Sequence, residues 1–165
     1  TSTNVQARLA GVLVGLRDIV PSVDESKVIH LQGNADREAS RLAMADLLAR
    51  LSSRARLLVS GFNDISAIGV LDAVRAAGRE GTVAIVGHNA MNEGRREIRK
   101  PESPFIASVA YFPERYGERL VKLACAMVDG DPVSPAVYTE HAVLDRNNVD
   151  MVYPGEVNPK AQALV

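Results

Sequence analysis

Leu57-Leu58-Val59-Ser60-Gly61-Phe62-Asn63-Asp64-Ile65-Ser66-Ala67-Ile68-Gly69-Val70-Leu71-Asp72-Ala73-Val74-Arg75-Ala76-Ala77-Gly78 is the stretch that decides the fold. It opens on a short apolar run, Leu57 to Val59, bounded by Gly61, which reads as a strand. Asp64 then reads as the cap of a helix. Ile65, Ile68, Leu71 and Val74 recur at helical spacing, and Gly78 is the stop. A strand too short and apolar to alternate, followed at once by an amphipathic helix, is the unit from which parallel sheets are built.

The same unit recurs outward in both directions. Downstream, Thr82 to Val86 reads as a strand and Met91 to Arg99 as a short polar helix. Phe105 to Ala110 is a further strand. Pro113 sits where the first turn of a helix tolerates proline. Tyr116, Leu120, Leu123, Ala124 and Met127 form that helix's apolar stripe, Gly130 closes it, and an extended stretch runs from about Val137 to Leu144. Upstream, Asp36 reads as an N-cap, with Ala39, Leu42, Ala43, Leu47 and Leu51 on one face. Val28 to Leu31 reads as a strand. Val5, Leu9, Val12, Leu13 and Leu16 mark an opening helix ended by Pro21. The expected fold is α/β: a Rossmann-like parallel sheet flanked by helices on both faces. The tail after Tyr153 is expected to be loose.

Bulk composition narrows the function. The chain has 165 residues, 47% hydrophobic and 24% charged, with a formal net charge of -1, the balance of a soluble globular domain. No basic excess offers to hold a phosphate backbone, so nucleic acid is not an expected partner of this chain. No apolar run is long enough to cross a bilayer. No signal peptide opens the chain, as would also be true of a mature secreted protein. The single cysteine, Cys125, cannot form an internal disulfide and falls in an apolar helical stretch, where burial is expected.

In open α/β sheets ligands bind beyond the carboxyl ends of the strands. Those ends carry Gly33-Asn34-Ala35-Asp36, Gly61-Phe62-Asn63-Asp64, Gly87-His88-Asn89-Ala90 and Tyr111-Phe112. A side-chain amide offers a donor and an acceptor in one plane, matching adjacent hydroxyls, and an aromatic face packs on the C–H face of a sugar ring. Phe62, Tyr111 and Phe112 are much of the aromatic supply of a chain that is 4% aromatic. The same residues also suit turns, caps and core packing.

Catalytic patterns are poor. No GxSxG elbow, Walker loop, complete GxGxxG or HExxH is present, and no cofactor or metal is expected. His30 and His141 fall within expected strands as structural histidines. Arg95, Arg96, Arg99 and Lys100 read as a solvated helix face, and Asp36 and Asp64, the only carboxylates placed at the rim, read as caps.

Several of these stretches resemble one family. Phe62-Asn63-Asp64-Ile65-Ser66-Ala67-Ile68-Gly69-Val70 with Ala76-Ala77-Gly78 is similar to the "ND-x-x-A-x-G…AAG" segment of type I periplasmic sugar-binding proteins. Ile85-Val86-Gly87-His88-Asn89 is similar to their "VVGFD" strand end. Ile106 to Pro113 with Gly117 resembles the segment that recrosses the hinge. Glu140 to Leu144, Asn147 to Asp150 and Tyr153-Pro154 resemble their finish, and Arg8-Leu9-Ala10-Gly11 an early "R-x-x-G" helix start.

The resemblance implies a solute-binding component of an uptake transporter, not an enzyme. It would bind a monosaccharide or similar small molecule between two α/β lobes. It would act in the periplasm or outside the cell, with a membrane permease as partner. It implies ligand positions at Arg8, Asn63, Asn89, Tyr111, Ala35 and Phe62. Asn89 stands where an aspartate is usual, Ala35 where an aromatic is frequent, and Tyr111 where an amide is common. Residues 1–112 would be a C-terminal lobe without its first strand, and 113–130 a helix that packs on an absent N-terminal lobe. Residues 131–153 would return to the hinge, and 154–165 would form a flexible tail. An uncovered helix of that kind would draw a homodimer or an element swap. The effector-binding domain of a LacI-like regulator, which would be cytoplasmic, shares the pattern, and a small α/β enzyme acting on a sugar derivative is the reading from a third class.

Overall fold

The computed structural model describes residues 3–156. Helix α1 (Thr3–Ile19) leads through an irregular segment to α2 (Arg37–Arg50), then β1 (Leu57–Ser60), α3 (Asp64–Ala76), β2 (Val83–His88), α4 (Asn92–Arg99) and β3 (Phe105–Ala110). Helix α5 (Tyr116–Asp129), strand β4 (Ala142–Asp145) and the single turn α6 (Val149–Val152) complete it. The sheet order is β1-β2-β3-β4, with the first two pairings parallel and β4 antiparallel to β3.

The strand–helix alternation makes this the expected α/β fold, and it explains the parallel pairings: each helix carries the chain back before the next strand begins. Strand β4 instead arrives from α5 and 131–141, so it docks in the opposite direction. The core lies between one sheet face and α2, α3 and α4. Ile85, Phe105 and Leu144 from the sheet are fully buried with Met44, Ala67, Val74, Ile98 and Val149. Gly69 sets the approach of α2 to α3: a Cβ there would lie 2.1 Å from the Arg37 carbonyl oxygen. Arg37 also bonds Asp72 through Nε at 2.7 Å and Glu93 at 3.0 Å, tying the starts of α2 and α4 to the second half of α3.

Several expectations are corrected. Val28–Leu31 is no strand, because no neighbouring segment among the described residues supplies ladder bonds, although Leu31 still packs on the core. Residues 137–141 are irregular, so the last strand is shorter than expected. In α2 the fully buried residues are Ser40, Met44 and Leu48, one step from the expected face; Leu47 of the expected face still packs partly on the core, and Leu42 is exposed. The opposite sheet face is not covered among the described residues: Leu58, Ile106 and Val143 are 75%, 47% and 59% exposed. Helix α5 has no buried residue, so Cys125 is exposed rather than packed. His30 and His141 lie outside strands and are exposed. Pro154–Glu156, expected to begin a loose tail, form a 3-10 turn. The rest of that tail, 157–165, lies outside the described residues.

Candidate functional site

The carboxyl ends of β1, β2 and β3 open on one side of the sheet, and a turn of backbone follows each. After β1, Asn63 is the N-cap of α3: its Oδ1 accepts from the Ser66 amide at 2.8 Å. The cap expected at Asp64 is therefore one residue earlier. Asp64 turns inward instead and is 1% exposed. Its Oδ1 accepts from the Ser108 hydroxyl at 2.6 Å and its Oδ2 from the Met91 amide at 2.5 Å. Gly87 and Gly94 make the socket, since a Cβ on either would come within 2.1 Å or 2.6 Å of this carboxylate. Ser108 also accepts from the Ala90 amide at 3.0 Å. One carboxylate thus fastens the β1 loop, the β2 loop and β3. Burial pushes its pKa from 3.8 up to about 6, against the Ser108 and Met91 hydrogen bonds and the Arg95 charge, which pull it down.

His88 fastens the same rim from beneath, its Nδ1 2.9 Å from the Gly61 carbonyl oxygen. Burial holds its pKa below 6.5, and the Arg8 charge adds to that. With the loops fixed this way, Asn89 and Ala90 take left-handed φ values of 95° and 48°, which leaves Asn89 exposed at the rim while Ala90 packs beneath.

Arg8 crosses this rim from α1. Its Nη1 donates to the Phe62 carbonyl at 2.8 Å. Its guanidinium carbon stands 4.7 Å from the Phe62 ring centroid and 5.2 Å from that of Tyr111, a double cation–π contact. A cleft of about 550 Å³ opens there, within the size range of small-ligand sites, with Arg8, Asn89, Tyr111, Tyr116 and Tyr153 among its walls.

The structure therefore gathers four of the six expected ligand positions: Arg8, Asn89 and Tyr111 on the cleft, with Phe62 against Arg8. Asn63 is adjacent in chain but 8% exposed and not on the cleft wall. Its Nδ2 has no protein acceptor among the described residues. Ala35 sits in an exposed left-handed turn (φ 56°) away from the cleft.

Arg95 and Arg99, read from sequence as solvated, are instead partly buried. Arg95 pairs with Glu156, donates to the Ala90 carbonyl and stacks 4.1 Å from the Tyr153 ring centroid. Arg99 bonds Glu156 at 2.9 Å and Asp150 at 2.7 Å. Glu156 lies 57 to 61 positions away in sequence, and no local pattern announces such a pairing.

The family model described as "Periplasmic binding protein domain" matches residues 1–132. The chain belongs to this family. No curated protein matches it. Among solved structures, a solute-binding protein of an ABC transporter from Agrobacterium vitis, with bound allitol, is 20% identical with a TM-score of 0.71, over 86% of this chain and 49% of that one. One from Actinobacillus succinogenes, with bound D-allose, is 18% identical with a TM-score of 0.63, over 72% and 41%. One from Bacillus halodurans, with bound myo-inositol, is 22% identical with a TM-score of 0.61, over 73% and 40%. At these identities the likeness is one of fold. The chain spans less than half the length of these relatives.

Proposed function

We propose that this chain supplies one wall of the ligand cleft of a solute-binding component of an ABC-type uptake system, periplasmic or extracellular, taking a sugar or polyol. The observation that carries the proposal is the Arg8 guanidinium, held between Phe62 and Tyr111 at the mouth of a cleft that also presents the Asn89 amide. A planar donor fork, an exposed amide and an aromatic wall are the means by which proteins grip polyhydroxylated molecules. Family membership supports the same reading, as do the structural relatives that hold allitol, D-allose and myo-inositol.

A binding role is favoured over catalysis by where the acid groups lie. Asp64, the carboxylate that follows β1 on the rim, is buried under its own hydrogen bonds. Of the cleft-wall residues, only Glu114 carries a carboxylate, so a paired acid and base is not available on this wall. The remaining wall of the cleft, and the permease contact, belong to the intact protein.

The test is a thermal-shift screen of the intact protein with sugars and polyols. A ligand that binds only the folded state at a hundred times its Kd adds about 2.7 kcal/mol, a readily measured rise in Tm. One or a few members should raise Tm, and Arg8→Ala should remove the rise. A broad panel without any shift would refute the proposal.

A further inference from the structure

We infer that Asp64 is a positioning residue for ligand binding: its ionised carboxylate, buried beneath the rim, holds the Asn89–Met91 turn in the form that presents Asn89 to the cleft, so that ligand binding is coupled to loss of the Asp64 proton. This rests on the sugar-binding reading above and adds the regulation of that same site by pH.

The turn after β2 is a costly piece of backbone. Asn89 and Ala90 both hold left-handed φ values, 95° and 48°. An alanine side chain cannot stabilise that region by bonds of its own, so the conformation persists where its surroundings impose it. Here they impose it through three polar atoms. The Met91 amide donates to Asp64 Oδ2, the Ala90 amide donates to Ser108 Oγ, and the Ala90 carbonyl accepts from Arg95. Ser108 in turn donates its hydroxyl hydrogen to Asp64 Oδ1 at 2.6 Å. Both amide ties therefore end on one carboxylate, one directly and one through Ser108. Asn89, which the turn exposes, lines the cleft.

Ionisation makes those ties strong. Hydrogen bonds to a charged carboxylate are roughly twice as strong as neutral ones. A protonated Asp64 must donate from one oxygen. Ser108 Oγ can accept that proton's bond, but its own hydrogen then loses its acceptor, and the bond from Met91 becomes a neutral one. The turn can then relax towards ordinary φ, and ligand binds only the fraction that keeps Asn89 in place. Around the carboxylate, α4 contributes the charge of Arg95, which favours ionisation. Strand β2 contributes His88, bonded to the Gly61 carbonyl, and β3 the neutral Ser108 and Phe105. Burial outweighs the favourable contacts and raises the Asp64 pKa to about 6. Near neutral pH the fold thus keeps a charge that an amide of the same shape would spare it. A loss of stability retained beside a cleft is the mark of a functional group.

The experiment is calorimetric titration of the intact protein between pH 7 and pH 5 with the tightest neutral hexose or hexitol of the thermal-shift panel, a ligand that does not itself titrate. If the form with Asp64 ionised binds about ten times better, Kd rises about fivefold over that range. By reciprocity, binding at pH 5.5 should release about half a proton, seen as a heat that changes with the ionisation enthalpy of the buffer. Both wild-type readouts stand without any variant. Asp64→Asn should bind about tenfold more weakly at pH 7 and release no proton from this position, although its ligand-free Tm there exceeds that of wild type. A residue that merely supports the fold would not lower affinity while its replacement raises stability. A wild-type Kd that stays constant from pH 7 to pH 5 would overturn the inference and leave the sugar-binding proposal standing. So would Asp64→Asn binding as tightly as wild type at pH 7. A pH profile that Asp64→Asn shares in full would assign the coupling to His88 and overturn it too. No binding by any member of the panel would take down both.

Discussion

Replacing Asp64 with Asn should stabilise the protein at neutral pH, although Asp64 makes two good hydrogen bonds. In the fold its carboxyl holds its proton to about pH 6, and in the unfolded chain to about 3.8. Between these values the folded state binds more protons. Stability therefore falls as pH rises through the window, and the full penalty is present above it. At 1.36 kcal/mol per pH unit the penalty is about 3 kcal/mol at pH 7 and about 1 kcal/mol at pH 4.5.

Asn is the same shape. Its oxygen can accept from the Met91 amide and its nitrogen can donate to Ser108, which keeps accepting from Ala90. The Ser108 hydroxyl hydrogen loses its acceptor, at about 1 kcal/mol. Asp64→Asn should thus gain about 2 kcal/mol at pH 7, and the gain should vanish near pH 4.5. Wild-type stability alone would mislead. His88, held neutral by burial below its usual 6.5, loses stability as pH falls through that value. Glu97 lies mostly buried. Although burial raises its pKa, its bonds to Arg75, Lys100 and Ser103 outweigh that and hold it at about 2, so its contribution is lost only as pH falls below 4.5. The difference between variant and wild type cancels both. Urea denaturation of the two proteins at pH 7 and pH 4.5 measures it. A variant no more stable than wild type at pH 7, or a gap that does not change with pH, would refute the burial account of Asp64.

Other substitutions separate structure from binding. Asn63→Ala removes the cap bond to Ser66 and should cost about 1 kcal/mol by denaturant titration. Asn63→Asp keeps that bond, so its stability should stay within about 0.5 kcal/mol of wild type. Gly69→Ala drives a Cβ against the Arg37 carbonyl. It should destabilise by about 1 to 3 kcal/mol, seen as a lower urea midpoint with an unchanged slope. Glu156→Gln weakens the hold of Arg95 and Arg99 on the last turn, and should raise amide exchange in Pro154–Glu156 while leaving α3 unaffected.

Much of the fold is legible in the sequence because it rests on local signals. The run from Leu57 to Gly78 carries a strand, a cap and a helical stripe within one window, and β1 and α3 follow it closely. What sequence leaves open is decided by distant partners. Asn63 and Asp64 are both good cap residues. The choice between them is set by the socket that Gly87 and Gly94 leave for the Asp64 carboxylate. Val28–Leu31 has strand composition, but a strand needs a neighbour as well as a sequence. In α2 alanines and leucines lie on several sides, so the apolar pattern permits two faces, and Gly69 packing under Arg37 selects the one with Ser40, Met44 and Leu48. Of the site, the residue types at the strand ends were readable. That Arg8 would reach Phe62 and Tyr111 follows from an α1 position that no local pattern encodes. Ala35 was placed by resemblance, and its turn lies off the cleft.

The central claim is that the cleft at the carboxyl ends of β1 to β3 holds the ligand. A crystal structure of the intact protein with the tightest member of the sugar panel tests it directly. Ligand oxygens should lie within about 3.2 Å of the Arg8 guanidinium and the Asn89 amide, with the Tyr111 ring against the ligand. A ligand bound elsewhere, with Arg8 still bonded only to Phe62, would contradict it.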